Sequence, residues 1–235
     1  MIIVYAMSRN LYPCFLPTLT SLLEHNDPER IYILAEDSCL PYDLPDICKV
    51  INVAGQTVFP PTGPNSRTVF TYMAMMRACY TDLLPTEHKV IQLDIDTIIC
   101  DSLEPLWDID MTGKWLAACP EYKGIYKPWD KTYYNIGVAV YNLDQMRADN
   151  AMGKMVNMLN TRHLWCIEQD AINFFAVPDK VVPIPVRYNE SFCCGQTDHP
   201  AVVHYAGFPD WWTRSDMPRV GYLDRYRTAS QLPPV

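Results

Sequence analysis

Strand-like and helix-like periodicities alternate along the first half of this chain, and that alternation leaves few folds open to it. Residues 2–6 (IIVYA) and 31–35 (IYILA) are short, nearly continuous apolar runs of the kind a strand buried on both faces requires, and 50–53 adds a third. Between the first two, residues 15–25 carry Leu16, Leu19, Leu22 and Leu23 at helical spacing, with Pro17 expected in the first turn. This order predicts an α/β fold. Residues 54–66, with three prolines and two glycines, read as a loop; 68–84 reads as a second long helix ended by Pro85. Strands at 115–119 and 134–141 and helices at 151–159 and 169–175 follow. The chain holds 20 prolines, and their crowding in 178–185 and 200–234 predicts an irregular, wrapped C-terminal third.

Chemistry enters at KVIQLDIDTIICDSLEPLWDID, residues 89–110, where an apolar run ends in Asp94 and Asp96. Side chains two apart on a strand share a face, so the two carboxylates can grip one divalent cation while Ile95 packs the other way. The same spacing recurs at Asp108 and Asp110, but after Pro105 and Trp107 rather than an apolar run; that pair reads as a solvated turn or helix cap.

A formal net charge of -8 argues against nucleic acid or an anionic membrane surface as the main partner. No basic leader precedes the first apolar run, and no apolar stretch approaches the roughly 18 residues a membrane span needs, so a cytoplasmic protein without a transmembrane segment is expected. Nine cysteines show no zinc-type spacing, and Cys79, Cys100, Cys119 and Cys166 sit in apolar patterns that predict small buried hydrophobes. The segment after the first strand, AMSRNLYP, lacks both the dinucleotide-binding glycines and a phosphate-loop lysine. If phosphates bind, a cation held by carboxylates must hold them, which points to a diphosphate substrate.

Four segments in order resemble glycosyltransferase family 8, the retaining GT-A enzymes that include glycogenin and bacterial lipooligosaccharide galactosyltransferases. LDIDTIICDSLEPLWDID is the most specific; YYNIGVAVYNLDQMR, EQDAIN and HYAGFPDWW follow. The resemblance implies a single GT-A domain over 1–235 with a central, mostly parallel mixed sheet. Residues 1–100 would form the nucleotide-binding half, and 101–235 the donor-sugar and acceptor half. It also implies a hexosyltransferase that moves glucose or galactose from a UDP-sugar to a glycan, lipid-linked or protein hydroxyl. Asp94, Asp96 and His204 would ligate Mn²⁺ or Mg²⁺, the imidazole favouring manganese. Ile95, Asn135, Gly137 and Gly207 would border the donor, Gly137 by allowing close backbone approach. Glu168, Gln169 and Asp170 would form the catalytic group around the sugar. Arg77 matches a donor-site arginine, while Ala6, Ser8, Asn10 and Tyr12 would meet the base and ribose, Tyr12 by stacking on uracil.

The chain departs from the family pattern in three places. Asp210 stands where a phosphate-contacting lysine is usual, with Arg214 or Lys123 as substitutes for its charge. Glu168 replaces an aspartate, and one extra methylene moves the carboxylate that meets the sugar. Ser8 and Arg9 stand where acidic residues are common. Two rivals remain open from the sequence. One is a non-catalytic nucleotide-sugar or glycan binder, motivated by Asp210 and by Trp129, Trp211 and Trp212. The other is a metal-dependent phosphohydrolase built on Asp94 and Asp96. Acceptor recognition is expected in the C-terminal third and the loop 121–131, with Tyr122, Tyr126 and Trp129 as stacking surfaces.

Overall fold

The computed structural model describes residues 1–68, 70–122, 131–208 and 211–227. Its strands are β1 (Ile2–Ala6), β2 (Arg30–Ala35), β3 (Cys48–Asn52), β4 (Lys89–Leu93), β5 (Thr97–Ile99), β6 (Leu116–Pro120), β7 (Tyr134–Asn142), β8 (Val181–Pro183) and β9 (Val202–His204). Seven of them form one sheet in the order β3-β2-β1-β4-β7-β6-β8, and β5 pairs with β9 in a separate ribbon. Within the sheet only β7 runs against the others, since its pairings with β4 and β6 are antiparallel and the remaining ones parallel.

Both faces of the inner strands are covered, which is why β1 and β4 read as nearly continuous apolar runs, whereas the edge strand β3 has no buried residue despite the run expected at 50–53. In β1, Ile2 and Val4 enter one core cluster while Ile3 and Tyr5 enter the other. The helices are α1 (Tyr12–His25), α2 (Tyr72–Met76), α3 (Tyr80–Leu83), α4 (Glu104–Trp107), α5 (Leu143–Ala148), α6 (Ala151–Thr161), α7 (Ile167–Ala176) and α8 (Val220–Arg227). Residues of α1 and α4 supply the Ile3 side, and those of α2, α3, α5, α6 and α7 the Ile2 side. A third, smaller cluster joins Ile98 of β5 and Val203 of β9 to Trp211, Met217, Leu223 and Tyr226, so the proline-rich end wraps onto the ribbon.

Two helix expectations need correction. Helix α1 starts at Tyr12 with Pro13 in its first turn, so Pro17 lies inside the helix, where it removes one N–H from the ladder. The long helix expected over 68–84 is two short helices joined by a 3₁₀ turn, Arg77–Cys79. The winding tightens at the residue whose guanidinium turns inward to the site. Trp211 is not the exposed glycan-binding face expected of it either. Trp211 is 3% exposed and stacked on Tyr205 at 5.4 Å, with Trp212 edge-on against it. Asp108 and Asp110 are exposed, the first at the C-cap of α4 and the second bonded to Thr112, as expected of a solvated turn.

Candidate active site

Ligand sites in open α/β sheets form where the strand order reverses, beyond the strands' carboxyl ends. Here that point lies between β1 and β4, and β4 delivers Asp94 there. The strand stops at Leu93, so Asp94, Ile95 and Asp96 form a turn rather than the strand expected from their spacing. The two carboxylates still converge, because Asp94 N–H donates to Gly137 O (2.7 Å) and Thr97 Oγ1 donates to Asp94 O (2.6 Å). The antiparallel ribbon then pairs Thr97 with His204, and Tyr205 N–H donates to Asp96 O (2.8 Å). A residue more than a hundred positions away is thereby placed beside the pair.

One ligand atom each from Asp94, Asp96 and His204 lies within 4.8 Å of the others. His204 Nε2 is 3.3 Å from Asp96 Oδ1 and 3.7 Å from Asp94 Oδ2. Two half-buried carboxylates and one buried imidazole at a cavity wall suit a divalent cation with open positions for substrate oxygens. Burial works against charge on His204, but Asp96 and then Asp94 outweigh it and lift the imidazole to about 9. Asp96 is held below its ordinary value by that same imidazole in spite of burial, whereas burial pushes Asp94 up.

Arg77 reaches in from the 3₁₀ turn and pairs with Asp94 Oδ1 through Nη1 and with Glu168 Oε1 through Nη2. Gln92 Nε2 also donates to Asp94 Oδ1 (2.8 Å), so one oxygen of Asp94 is held from behind and Oδ2 is left facing the imidazole. Glu168 is 2% exposed, and its Oε2 has no hydrogen-bond partner. An orphaned carboxylate oxygen at this depth is costly unless something completes it. Burial raises the Glu168 carboxyl, against the pull of Arg77. The residue before it, Ile167, has φ 34, a left-handed conformation that costs a β-branched side chain on the order of 1–3 kcal/mol.

These groups open into a cavity of about 600 Å³, lined by Arg77, Asp94, Asp96, Asn135, Glu168, Gln169, His204 and Gly207 among others. Gly207 has φ +82 and open space around its Cα, so it serves the backbone turn rather than a close contact. Several expected positions fall elsewhere. Ile95 is 8% exposed and packs into the core on the far side. Asp170 is fully buried, taking Tyr133 Oη–H on Oδ1 (2.6 Å) and the N–H groups of Trp165 and Cys166 on Oδ2 (3.0 Å each). It anchors the start of α7 and does not line the cavity. Gly137 admits the His204 ring rather than a sugar: a Cβ built there would lie 2.1 Å from His204 Cε1.

Ala6, Ser8, Asn10 and Tyr12 sit at the end of β1 and beyond it, outside the cavity wall. Ser8 Oγ donates to Asn10 Oδ1 (2.7 Å). Tyr12 is 4% exposed with its ring in the core, and its hydroxyl donates to Asp37 and accepts from Glu36 N–H, so it offers no stacking face. Just beyond β2, Asp37 grips Arg9 at 2.8 Å through two bonds. Arg214 is bonded to Asp216 and lies over the Phe208 ring rather than on the cavity wall. Lys123, Tyr126, Trp129 and Asp210 lie outside the described residues.

Sequence reasoning passed over Glu121, Phe70, Trp165 and Phe192, which all line the cavity. Glu121 Oε1 accepts from Asn135 Nδ2 (3.3 Å) and Gln169 Nε2 (3.4 Å), and burial raises its carboxyl. It follows β6 in an ordinary-looking ACPEY, where no periodicity marks it. Cys166, expected in the core, is another cavity-lining residue.

The fold is that of the GT-A glycosyltransferases. It superposes on a galactosyltransferase, LgtC, solved in complex with donor and acceptor sugar analogues, with a TM-score of 0.75 at 21% identity, over 98% of this chain and 95% of that one. The pattern of glycosyl transferase family 8 matches residues 3–214, and the chain belongs to that family. Among curated relatives, glycosyltransferase GlyB of Streptococcus pneumoniae serotype 4 is 27% identical over 143 residues, 53% of this chain and 35% of GlyB. General stress protein A of Bacillus subtilis is 23% identical over 185 residues, 66% of this chain and 64% of that protein. The chain thus spans less than two thirds of the length of either. No helix among the described residues is long and apolar enough to cross a membrane.

Proposed function

We propose that this glycosyltransferase is a metal-dependent, retaining hexosyltransferase, moving glucose or galactose from a UDP-sugar to a hydroxyl of a glycan acceptor. The observation that carries the reading is the joining of Asp94, Asp96 and His204 with an unsatisfied, buried Glu168 Oε2 on one cavity wall. Mn²⁺, or Mg²⁺, held by the three side chains would stabilise the negative charge that builds on the departing diphosphate. Glu168 Oε2 accepts a donor-sugar hydroxyl, while Arg77 holds Oε1 and so aims that carboxylate. Gln169 lies beside the anomeric carbon, its Oε1 pinned by Ile136 N–H (3.1 Å). The acceptor hydroxyl attacks from the leaving-group side as the bond to phosphate breaks, and its proton passes to the departing phosphate oxygen. Positioning supplies much of the rate.

The acceptor reading follows from where apolar surface is exposed. Of the five exposed large hydrophobic side chains among the described residues, Phe70, Trp165 and Phe192 line this cavity and Tyr122 lines the adjoining one, a distribution that favours stacking on sugar rings. In this reading residues 1–100 provide the nucleotide side, 101–235 the sugar and acceptor side, and the setting is cytoplasmic.

The direct test follows UDP release from UDP-glucose and UDP-galactose with Mn²⁺ and with chelator. Activity is expected only with the metal, and Asp96→Asn is expected to lose it; equal rates with chelator would remove the metal from the mechanism. The pH dependence has a defined sign. With its imidazole lifted to about 9, His204 is protonated at pH 7 and must shed that proton to ligate. Mn²⁺ affinity is therefore expected to fall about tenfold per pH unit as the pH drops below 9, until the carboxylates also protonate and steepen the loss. Calorimetry in buffers of different ionisation enthalpy measures the released proton, and uptake of none would contradict this assignment.

A further inference from the structure

Behind the proposed metal ligands lies a polar relay made entirely of side chains whose orientation the backbone dictates. It begins at Gly137, whose N–H donates to Asn135 Oδ1 (3.0 Å). That bond decides which way the Asn135 amide faces, since only its oxygen can accept, and the contact of Asn135 Nδ2 with Glu121 Oε1 agrees. Asn135 Oδ1 then accepts a second bond, from Asn189 Nδ2 (2.9 Å), which turns the Asn189 oxygen outward to His204 Nδ1 at 2.8 Å. An amide oxygen cannot donate, so Nδ1 must carry the proton. In the neutral ring Nε2, the nitrogen facing both aspartates, is then the one free to hold a cation.

Neither asparagine has room to turn. Asn189 is 0% exposed, Asn135 7% and His204 4%. Asn189 sits just after a 3₁₀ turn, Val186–Tyr188, and the bond from His204 N–H to Glu190 O (2.8 Å) docks that segment against β9. The same hub extends the other way, through Glu121 to Gln169. A buried carboxamide bonded through both its nitrogen and its oxygen is a specific arrangement that packing alone does not require.

We propose that Asn189 is a positioning residue which, oriented by Gly137 N–H through Asn135, locks His204 in the Nδ1–H tautomer so that Nε2 serves as the cation ligand. The inference rests on the metal reading above only for its second half, because the tautomer is a property of the protein alone. Substituting Asn189 with leucine removes the acceptor and frees the ring to turn; outer partners of this kind control about 10- to 100-fold in metal affinity. Asn189→Asp retains an oxygen for Nδ1–H but opposes a second oxygen to Asn135 Oδ1.

The test has two arms. In the first, ¹⁵N-histidine spectra of the wild-type protein are recorded at a pH where the ring is neutral, with His204 assigned among the five histidines by its loss in His204→Gln. Protonation at Nδ1 is expected, and protonation at Nε2 would overturn the proposal whether or not a metal binds. In the second, Mn²⁺ binding is measured by calorimetry for wild type, Asn189→Leu and Asn189→Asp, with thermal unfolding as the check on folding. The leucine variant is expected to bind about 10- to 100-fold more weakly, and the aspartate variant to recover most of that loss. A folded Asn189→Leu with wild-type Mn²⁺ affinity would overturn the role. Wild-type protein that binds no Mn²⁺ would instead retire the metal reading and leave the tautomer result to be judged by itself.

Discussion

Gly137→Ala is expected to abolish divalent-cation binding and, with it, sugar transfer, although the substitution adds a single methyl group to a β-strand. The new Cβ would lie 2.1 Å from His204 Cε1 and 2.8 Å from both ring nitrogens, well inside the closest approach of real atoms. The ring cannot give way without breaking its contacts. It is 4% exposed, tied at Nδ1 to Asn189 and held at its backbone by Glu190 O and the Thr97 pairing. Overpacking of this kind costs about 1–3 kcal/mol in stability. The larger effect falls on the site, because the shift carries Nε2 away from Asp94 and Asp96, and removing a ligand outright is expected to cost more than the roughly 100-fold that outer partners control. Calorimetry with Mn²⁺ and UDP-glucose turnover measure it. Gly207→Ala serves as the contrast: open space surrounds that position, and only the left-handed φ of +82 penalises a side chain, by about 1–2 kcal/mol. If the Gly137 variant bound Mn²⁺ like wild type, the close packing of ring on strand would be wrong.

The second large effect is on stability. Arg77 has a side chain 12% exposed and neutralises two carboxylates at once, Asp94 and the nearly inaccessible Glu168. Arg77→Met keeps the length and removes the charge, stranding both acids. Breaking a buried pair from one side typically costs about 3–5 kcal/mol. The pH dependence discriminates this from simple misfitting. Burial already raises the Glu168 carboxyl in the folded protein, and without Arg77 it rises further. A folded-state pKa above the unfolded one means that the native state binds more protons, so the contribution to stability is largest at low pH and is lost as pH climbs through the folded value. The variant is therefore expected to lie closer to wild type at pH 5 than at pH 8 in urea unfolding. An equal deficit at both pH values, or one below about 1 kcal/mol, would show that Arg77 is not the counter-charge.

Much of the fold is local in origin and therefore legible in the chain. The apolar runs at 2–6, 31–35 and 89–93 had to be strands with both faces covered, and the pairing of such strands through helices follows from their spacing. The Asp94/Asp96 pair was legible for the same reason, though as a turn beyond the strand rather than part of it. Position alone misled at Tyr12 and Asp170. Both occupy suggestive places in the sequence, yet one ring is core and the other carboxylate is consumed by a tyrosine hydroxyl and two backbone N–H groups. Nothing in a one-dimensional pattern reports whether a polar side chain still has an unused atom.

The chain by itself determined the α/β order of elements, the two carboxylates at the end of β4 and the family to which they belong, because each depends on spacing within a few residues or on motifs read in order. Only the tertiary structure decided what those motifs do to one another. It set His204 against Asp96 through the β5–β9 ribbon, laid its ring over Gly137, and tied its Nδ1 to Asn189. It also left Oε2 of Glu168 as the unsatisfied atom. These outcomes depend on contacts between segments from 15 to more than a hundred residues apart, which no local spacing reports.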